Sequence, residues 1–330
     1  MSLAEEIKAK GLESGFDLVG ITDAGPIDNE QFKFFTDWLA LGYAGRMNYM
    51  RENLEKRTNP AKLLENAQSV ICVGLNYTPS LDRGTRAEGQ KTRDETGHLP
   101  SSRPMGRVAN YAQYEDYHVF IKKGLSKLVD FISSLACGNH KFKICVDSVP
   151  LAERSLAARA GLGFIGKNHT LINPGLGPQI FLGEIITSVK LQTDEPIAES
   201  CSNCNKCIEA CPTGALRTDG QFDANKCISY LTIEYKGQTP ADLAEKTGDR
   251  LFGCDECVLA CPYQENAPVC KNQQFKYYND RARVDLGRIL NLTEADFDAE
   301  FADSPINRLG LDRLKRNAHI CLVNATRREI

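Results

Sequence analysis

The sequence predicts an α/β (α+β) domain over residues 1–192, a cysteine-rich module over 193–270 and a short helical segment over 271–330. Three observations predict this order. Apolar runs of strand length alternate with amphipathic helical stretches through the first part, the pattern of a layered α/β domain. Eight of the thirteen cysteines fall between 201 and 261, so they belong to one local structure. Past Pro262 the chain turns polar and then regains a helical pattern from Leu309 to Val323.

The first part yields its elements one by one. Residues 1–19 read as an amphipathic helix with Gly15 near its end, leading into a strand at Leu18–Ile21. Val70–Leu75 is an apolar run of strand length. Residues 80–106, rich in Gly, Ser, Arg, Asp and Pro, read as a long mobile loop. Leu125, Leu128, Val129, Ile132 and Leu135 recur at helical spacing within 119–136 and mark a core-facing helix. Phe142–Val146 is a strand running directly into Asp147. Pro150–Ala160 is a helix with Ser148 as N-cap and Gly161 as its stop. Ile180–Val189 returns as a strand, and the polar stretch 192–196 links to the cysteines.

Composition excludes several classes. Hydrophobic content of 42% and charged content of 25% are those of a globular protein, and a net charge of −3 excludes a uniformly basic surface. The N-terminal residues show no basic stretch leading into an apolar one, and no run approaches the ~20 apolar residues a bilayer span needs. A cytoplasmic monomer without a membrane partner is expected.

The cysteine spacing carries the chemistry. Cys201-x2-Cys204-x2-Cys207-x3-Cys211-Pro212 is the bacterial ferredoxin run, in which three thiolates hold one 4Fe-4S cluster and the fourth reaches the other. Two-residue gaps let one tight loop turn three sulfurs toward one cube, and Pro212 turns the chain away without needing a backbone donor. Cys254-x2-Cys257-x3-Cys261-Pro262 repeats the end of the run, with Leu251 where the leading cysteine would stand. Cys227, between the runs, completes the count. The reading is Cys201, Cys204, Cys207 and Cys261 on cluster one, and Cys211, Cys227, Cys254 and Cys257 on cluster two. Paired structural zinc sites also use four thiolates but rarely show this triple spacing closed by Cys-Pro. The module is therefore ferredoxin-like.

Gly161-Leu162-Gly163-Phe164-Ile165-Gly166 fits G-x-G-x-x-G letter for letter. A dinucleotide site needs a strand before the glycines and a helix after them. Here a helix precedes and none follows, so the segment reads as a loop that lets backbone approach something closely. Clusters alone move single electrons, and the large domain ahead of them suggests a second cofactor that performs the chemistry.

The segment Val146-Asp147-Ser148-Val149-Pro150-Leu151-Ala152-Glu153-Arg154, with Ala160–Asn168 and Phe181–Ile185, resembles the central motif of the epoxyqueuosine reductases. Asp116-Tyr117-His118, Cys227–Thr232 and Lys56-Arg57 with Pro60 fit the same family, so the likeness covers roughly residues 1–325. The resemblance implies a cobalamin-binding first domain. It also implies reduction of epoxyqueuosine to queuosine at the wobble position of tRNA, the final step of queuosine biosynthesis, with electrons passing from an external donor through two 4Fe-4S clusters. Asp147 matches the family's proposed proton donor, a role that desolvation beneath a corrin and a base would favour by raising its pKa. Without the resemblance, Asp147 reads as a strand-end helix cap.

Cobalamin contacts implied by the resemblance fall on Arg57, Ala109, Asp147, Leu171, Leu182 and Ser229. Read alone, these are a surface arginine, core residues and a serine bonded to its own backbone. His118 is left unassigned. Lys236 is the candidate tRNA contact, with Lys276, Arg281, Arg283, Arg313, Lys315 and Arg316 as further basic candidates, although such charges usually form a solvated face. Asn110 stands where relatives often have Arg. Many relatives continue into short helical repeats that help hold tRNA, so a short form is expected here. The rival readings are a ferredoxin-type electron carrier with an accessory domain, and another corrinoid iron–sulfur reductase acting on a small molecule.

Overall fold

The computed structural model describes residues 2–80 and 103–328. Most of the loop expected over 80–106 lies outside the described residues, while Met105 and Gly106 belong to a strand. The first helix, α1 (Leu3–Glu13), opens on a capping box between Ser2 and Glu5. It ends before the expected residue 19, because Gly15 takes φ +95° and breaks the helical path. The chain continues through β1 (Leu18–Asp23), α2 (Asn29–Ala40), α3 (Leu54–Thr58), β2 (Ser69–Asn76) and β3 (Met105–Val108). Then come α4 (Tyr117–Leu135), β4 (Phe142–Cys145), α5 (Glu153–Arg159), β5 (Phe164–Ile165), β6 (Leu171–Ile172) and β7 (Ile180–Thr187).

The main sheet has the order β1-β2-β7-β4, and every pairing in it is antiparallel. The domain is thus α+β rather than a wound α/β sheet. Alternation along the sequence shows which segments are strands, whereas strand direction is set by connections that periodicity does not report. All eight residues of β2 are buried. Ile71, Val73 and Leu75 face α1 and α4, packing with Ile7, Ile121, Leu125 and Ile132. Val70 and Cys72 face α5, packing with Leu156, Ala157 and Ala160. Burial on both faces explains why β2 reads as a continuous apolar run.

The cysteine region carries α6 (Lys206–Glu209), α7 (Ile228–Ile233), α8 (Ala241–Thr247), β8 (Arg250–Phe252), α9 (Glu256–Leu259) and α10 (Pro262–Glu265). It is followed by β9 (Arg283–Asp285), α11 (Leu286–Asn291), α12 (Glu294–Phe301) and α13 (Leu311–Arg328). A second sheet, ordered β8-β3-β9, takes β3 from before α4, β8 from among the cysteines and β9 from beyond them. Its core joins Val108, Leu251 and Phe252 to Leu286, Phe297, Phe301 and Leu314. No helix among the described residues is long and apolar enough to cross a membrane.

One buried side chain fastens α13 to the cysteine region. The Asn317 amide donates to the Thr232 carbonyl at 2.8 Å and to the Leu251 carbonyl at 3.0 Å. Asn317→Ala leaves two buried carbonyls without donors, and we expect a loss of about 2–4 kcal/mol in chemical denaturation.

Candidate active site

Asp147 sits at the end of β4 with φ +54°, a left-handed conformation that costs a non-glycine residue about 1 kcal/mol. The turn is held by named contacts. The Asp147 N–H donates to Glu153 Oε1 at 2.6 Å, so the first residue of α5 reaches back to fix the turn. On the other side, the Tyr117 hydroxyl donates to Asp147 Oδ2 at 2.9 Å, and His118 Nε2 lies 3.2 Å from the same oxygen. The Asp147 carboxylate caps no helix, and neither does Ser148, whose hydroxyl donates to the Val146 carbonyl at 3.2 Å. Helix α5 starts at Glu153, after the expected Pro150, and has no side-chain cap.

His118 is held from its other edge. Its Nδ1 lies 2.8 Å from Asp116 Oδ1, and Asp116 also accepts from Arg308 Nη2 at 2.6 Å. Arg308 Nη1 comes within 2.8 Å of His118 Nε2. That nitrogen therefore has two mutually exclusive partners. In the neutral ring its lone pair accepts from Arg308, and in the imidazolium its N–H donates to Asp147. Burial pulls the imidazole down, but hydrogen bonds to Asp116 and Asp147 outweigh it and leave His118 above its ordinary value. Hydrogen bonding to His118 holds Asp147 below the usual carboxylate range against the opposing effect of burial. The rise expected beneath a corrin and a base is a property of the covered carboxyl; in the open turn His118 sets the balance. The Asp147 side chain is 61% exposed, and the charge partner wins.

The cysteines gather in two groups of four. Burial pushes the Cys207 thiol up, and Cys201, Cys204 and Cys261 beside it push the same way. Burial likewise raises Cys257, with Cys227, Cys254 and Cys211 as its neighbours. Local sequence thus supplies three members of the first group, and the chain returns some fifty residues later to add Cys261. The glycine segment lies against this region. It forms a β5–β6 hairpin in which a Cβ at Gly163 would stand 2.4 Å from the Ile172 carbonyl oxygen. The following Lys167 N–H points at Cys201 Sγ, 3.4 Å away, and its ammonium donates to the Cys204 carbonyl at 2.9 Å. The glycines admit the Glu195 and Ile172 backbone, and the hairpin they allow brings Lys167 to the cysteines.

A cavity of about 780 Å³ opens between these parts. Cys211, Cys227, Cys254 and Cys257 stand on its wall together with Tyr117, His118, Asp147 and Arg308. Of the predicted contacts, Asp147, Ser229 and Lys236 are on that wall. The others lie off it: Ala109 and Leu171 are buried, and Leu182 packs in the core beside α5. Arg57 donates to the Tyr49 carbonyl at 3.2 Å, while its Nε is buried without a partner. Asn110 is buried, its backbone N–H donating to Asp255 and its side chain to Gln179. Three basic candidates are engaged internally, Arg313 by donating to the Ile233 carbonyl at 2.8 Å and the Arg308 carbonyl at 3.2 Å. Arg281 pairs with Asp303 at 2.6 Å, and Arg316 bonds the carbonyls of Leu231, Tyr235 and Gly237. Sequence reasoning passed over Arg308 and Glu153. Glu153 carried a signal, standing six residues after Asp147 within one motif, whereas Arg308 had none.

Paired cysteine quartets, one of them on the wall of a cavity that also holds a carboxylate–imidazole pair, define an iron–sulfur redox protein with room for a second reacting group. Residues 200–264 match the 4Fe-4S double cluster binding domain, and residues 57–148 match the family described as epoxyqueuosine reductase QueG, DUF1730. The epoxyqueuosine reductase of Xanthomonas campestris pv. campestris is 36% identical over 322 residues, 98% of this chain and 87% of that one. A crystal structure of epoxyqueuosine reductase with an epoxyqueuosine-modified tRNA-Tyr stem loop superposes with a TM-score of 0.86 at 30% identity, covering 98% of this chain and 81% of that one. The Bacillus subtilis epoxyqueuosine reductase, captured with its catalytic aspartate loop swung out of the active site, gives 0.86 at 29% identity with the same coverage. This chain belongs to the epoxyqueuosine reductase family.

The geometry fixes a pH dependence. His118 binds its proton more tightly folded than unfolded, so its contribution is full below the ordinary imidazole value of 6.5 and is lost as pH rises through the higher folded value. Asp147 contributes above its ordinary 3.8 and loses that contribution only as pH falls through its lower folded value. We expect wild-type stability to fall as pH rises above about 6.5, and the His118→Gln profile to be flatter there, in urea titrations carried from that pH upward.

Proposed function

We propose that this chain reduces the epoxide of epoxyqueuosine to give queuosine in tRNA, with cobalamin in the described cavity and two 4Fe-4S clusters supplying electrons. The observation that carries it is the shared wall, where one cysteine quartet and Asp147 face the same cavity. Cys201, Cys204, Cys207 and Cys261 would hold the outer cluster. Cys211, Cys227, Cys254 and Cys257 would hold the cluster beside the cavity.

The cavity suits a large, flat, amide-fringed cofactor. Phe34, Trp38, Met47 and Phe222 give it an apolar lining. His169, also on the wall, has a buried Nε2 without a partner among the described residues and could meet an amide arm. Burial lowers His169 to about 4, so it is neutral and able to accept as well as donate. When bound there, cobalamin supplies a reduced metal centre capable of delivering electrons to the substrate. Asp147 stands at the cavity with His118 and Tyr117 behind it, positioned to give a proton to the oxygen released from the epoxide.

Lys236, exposed on the cavity rim, is the tRNA contact we favour, with Arg313 beside it on the same wall. The wobble base is unpaired in free tRNA, so presenting it to a pocket costs only unstacking, on the order of a few kcal/mol. An acidic chain must gather its phosphate contacts locally, and each one adds salt dependence.

Three outcomes test this reading. Cys227→Ala should lose the inner cluster and keep the outer one, read by iron content and spin-resonance spectra. Asp147→Asn should retain cobalamin and its melting temperature while turnover falls about a hundredfold or more, the size of a general-acid contribution. Turnover on an epoxyqueuosine-containing anticodon stem-loop should exceed that on the free nucleoside and fall with salt. Equal, salt-independent rates would return the chain to the small-molecule corrinoid reductases.

A further inference from the structure

Behind the Asp147 turn lies a pair of carboxyl groups that the reaction does not use. Glu184, in the middle of β7, is fully buried, and neither of its oxygens meets a donor. Its cross-strand neighbours are Cys72 of β2 and Cys145 of β4, two buried thiols. The polar group facing it is the carboxyl of Glu153 on α5. Two ionised carboxylates are acceptors only and would repel each other in this low-dielectric interior. They can hydrogen-bond only if one of them carries a proton. Glu153 in turn accepts the Asp147 N–H at 2.6 Å. A continuous line therefore runs from the sheet core to the turn that displays Asp147.

We propose that Glu153 and Glu184 share a single proton and act together as the latch that holds the Asp147 turn in its inward, left-handed conformation. They are positioning residues, and this role rests on the reading of Asp147 as the proton donor. Glu184 keeps the proton, because a fully buried carboxyl without donors strongly disfavours its charged form. Burial and the Asp147 charge raise Glu153 as well, but the Asp147 N–H bonded to its Oε1 favours its charged form, so Glu153 serves as the acceptor at both ends. The charged groups around the pair are Asp147, Arg154 and Arg57, with Arg159 acting on the Cys72 side. The bond to the Asp147 amide offsets the cost of a left-handed aspartate, which the turn would otherwise relieve by swinging outward.

Substitutions at the two carboxyls separate the latch from the catalytic group. Glu153→Gln keeps an oxygen that can accept the Asp147 N–H, whereas Glu153→Leu keeps bulk without an acceptor. In the cluster-loaded protein, hydrogen exchange at the Asp147 amide should rise about tenfold or more in Glu153→Leu, as expected for a lost charge-assisted hydrogen bond, and stay close to wild type in Glu153→Gln. Difference infrared spectra at neutral pH between wild type and Glu184→Gln should show the carbonyl stretch of a protonated carboxylic acid in the wild type alone. Unchanged exchange in Glu153→Leu, or no carboxylic acid band lost in Glu184→Gln, overturns the latch. The infrared readout keeps the proposal testable if Glu153→Leu fails to fold. Asp147→Asn should exchange like wild type while losing turnover. Full turnover in that variant overturns the catalytic reading of Asp147 alone, since the latch is read by exchange.

Discussion

The site depends on one seam, the parallel pairing of β3 with β8. Arg107 and Ala109 donate their N–H groups to the Asp249 and Phe252 carbonyls at 2.7 and 2.8 Å, and the Asn110 N–H donates to the Asp255 carboxylate at 2.6 Å. The Arg107 guanidinium adds ion pairs to Asp249 and Glu256. These bonds join segments about 145 residues apart, so chain connectivity contributes nothing to their closeness. On one side the seam leads into Tyr111, Asp116, Tyr117 and His118. On the other it leads into Cys254 and Cys257. Displacing it would separate the cysteines from the acid–base group even if each part remained folded.

The opposite wall is fastened in a comparable way. The Trp38 indole donates to the Phe222 carbonyl at 2.6 Å, and the Tyr230 hydroxyl accepts the Arg46 N–H at 2.8 Å. Fixed dipoles along these walls strengthen each polar contact that they shield from water. With clamps on both sides, cavity shape is a property of the whole chain rather than of either cysteine run.

That division explains what was legible in the sequence. The cysteine module could be recognised because Cys201, Cys204 and Cys207 lie within a few residues, as do Cys254 and Cys257, whereas Cys211, Cys227 and Cys261 join them from farther along the chain. Helix α4 and strand β2 could be read from periodicity, and the glycine segment could be rejected as a nucleotide site from its flanking pattern. The antiparallel sheet could not be read, because periodicity carries no direction. The expectation for Asp147 concerned a carboxyl covered by a corrin and a base; what local pattern did not show is the facing imidazole of His118, 29 residues earlier. Arg308 was invisible for the same reason. Its contacts with His118 and Asp116 span about 190 residues and leave no mark on local pattern.

Three carboxyls line up from the cavity to the core, and burial orders their proton affinities. Asp147, open to the cavity and facing His118, lies below its ordinary value, Glu153 rises to about 7, and Glu184 rises well above the carboxylate range. The inner members favour protons because burial costs their charged forms more than nearby Arg154 returns. Asp147 therefore carries the charge in the open cavity and is the member whose state a ligand can change. Covering it removes the solvent that shares with His118 the work of stabilising its charge, and its proton affinity then climbs toward that of its buried neighbours. Glu184, already fully buried, is not desolvated further by the same covering. Protonating Asp147 also removes the charge that helps raise Glu153, which then holds the Asp147 amide as the more firmly charged acceptor.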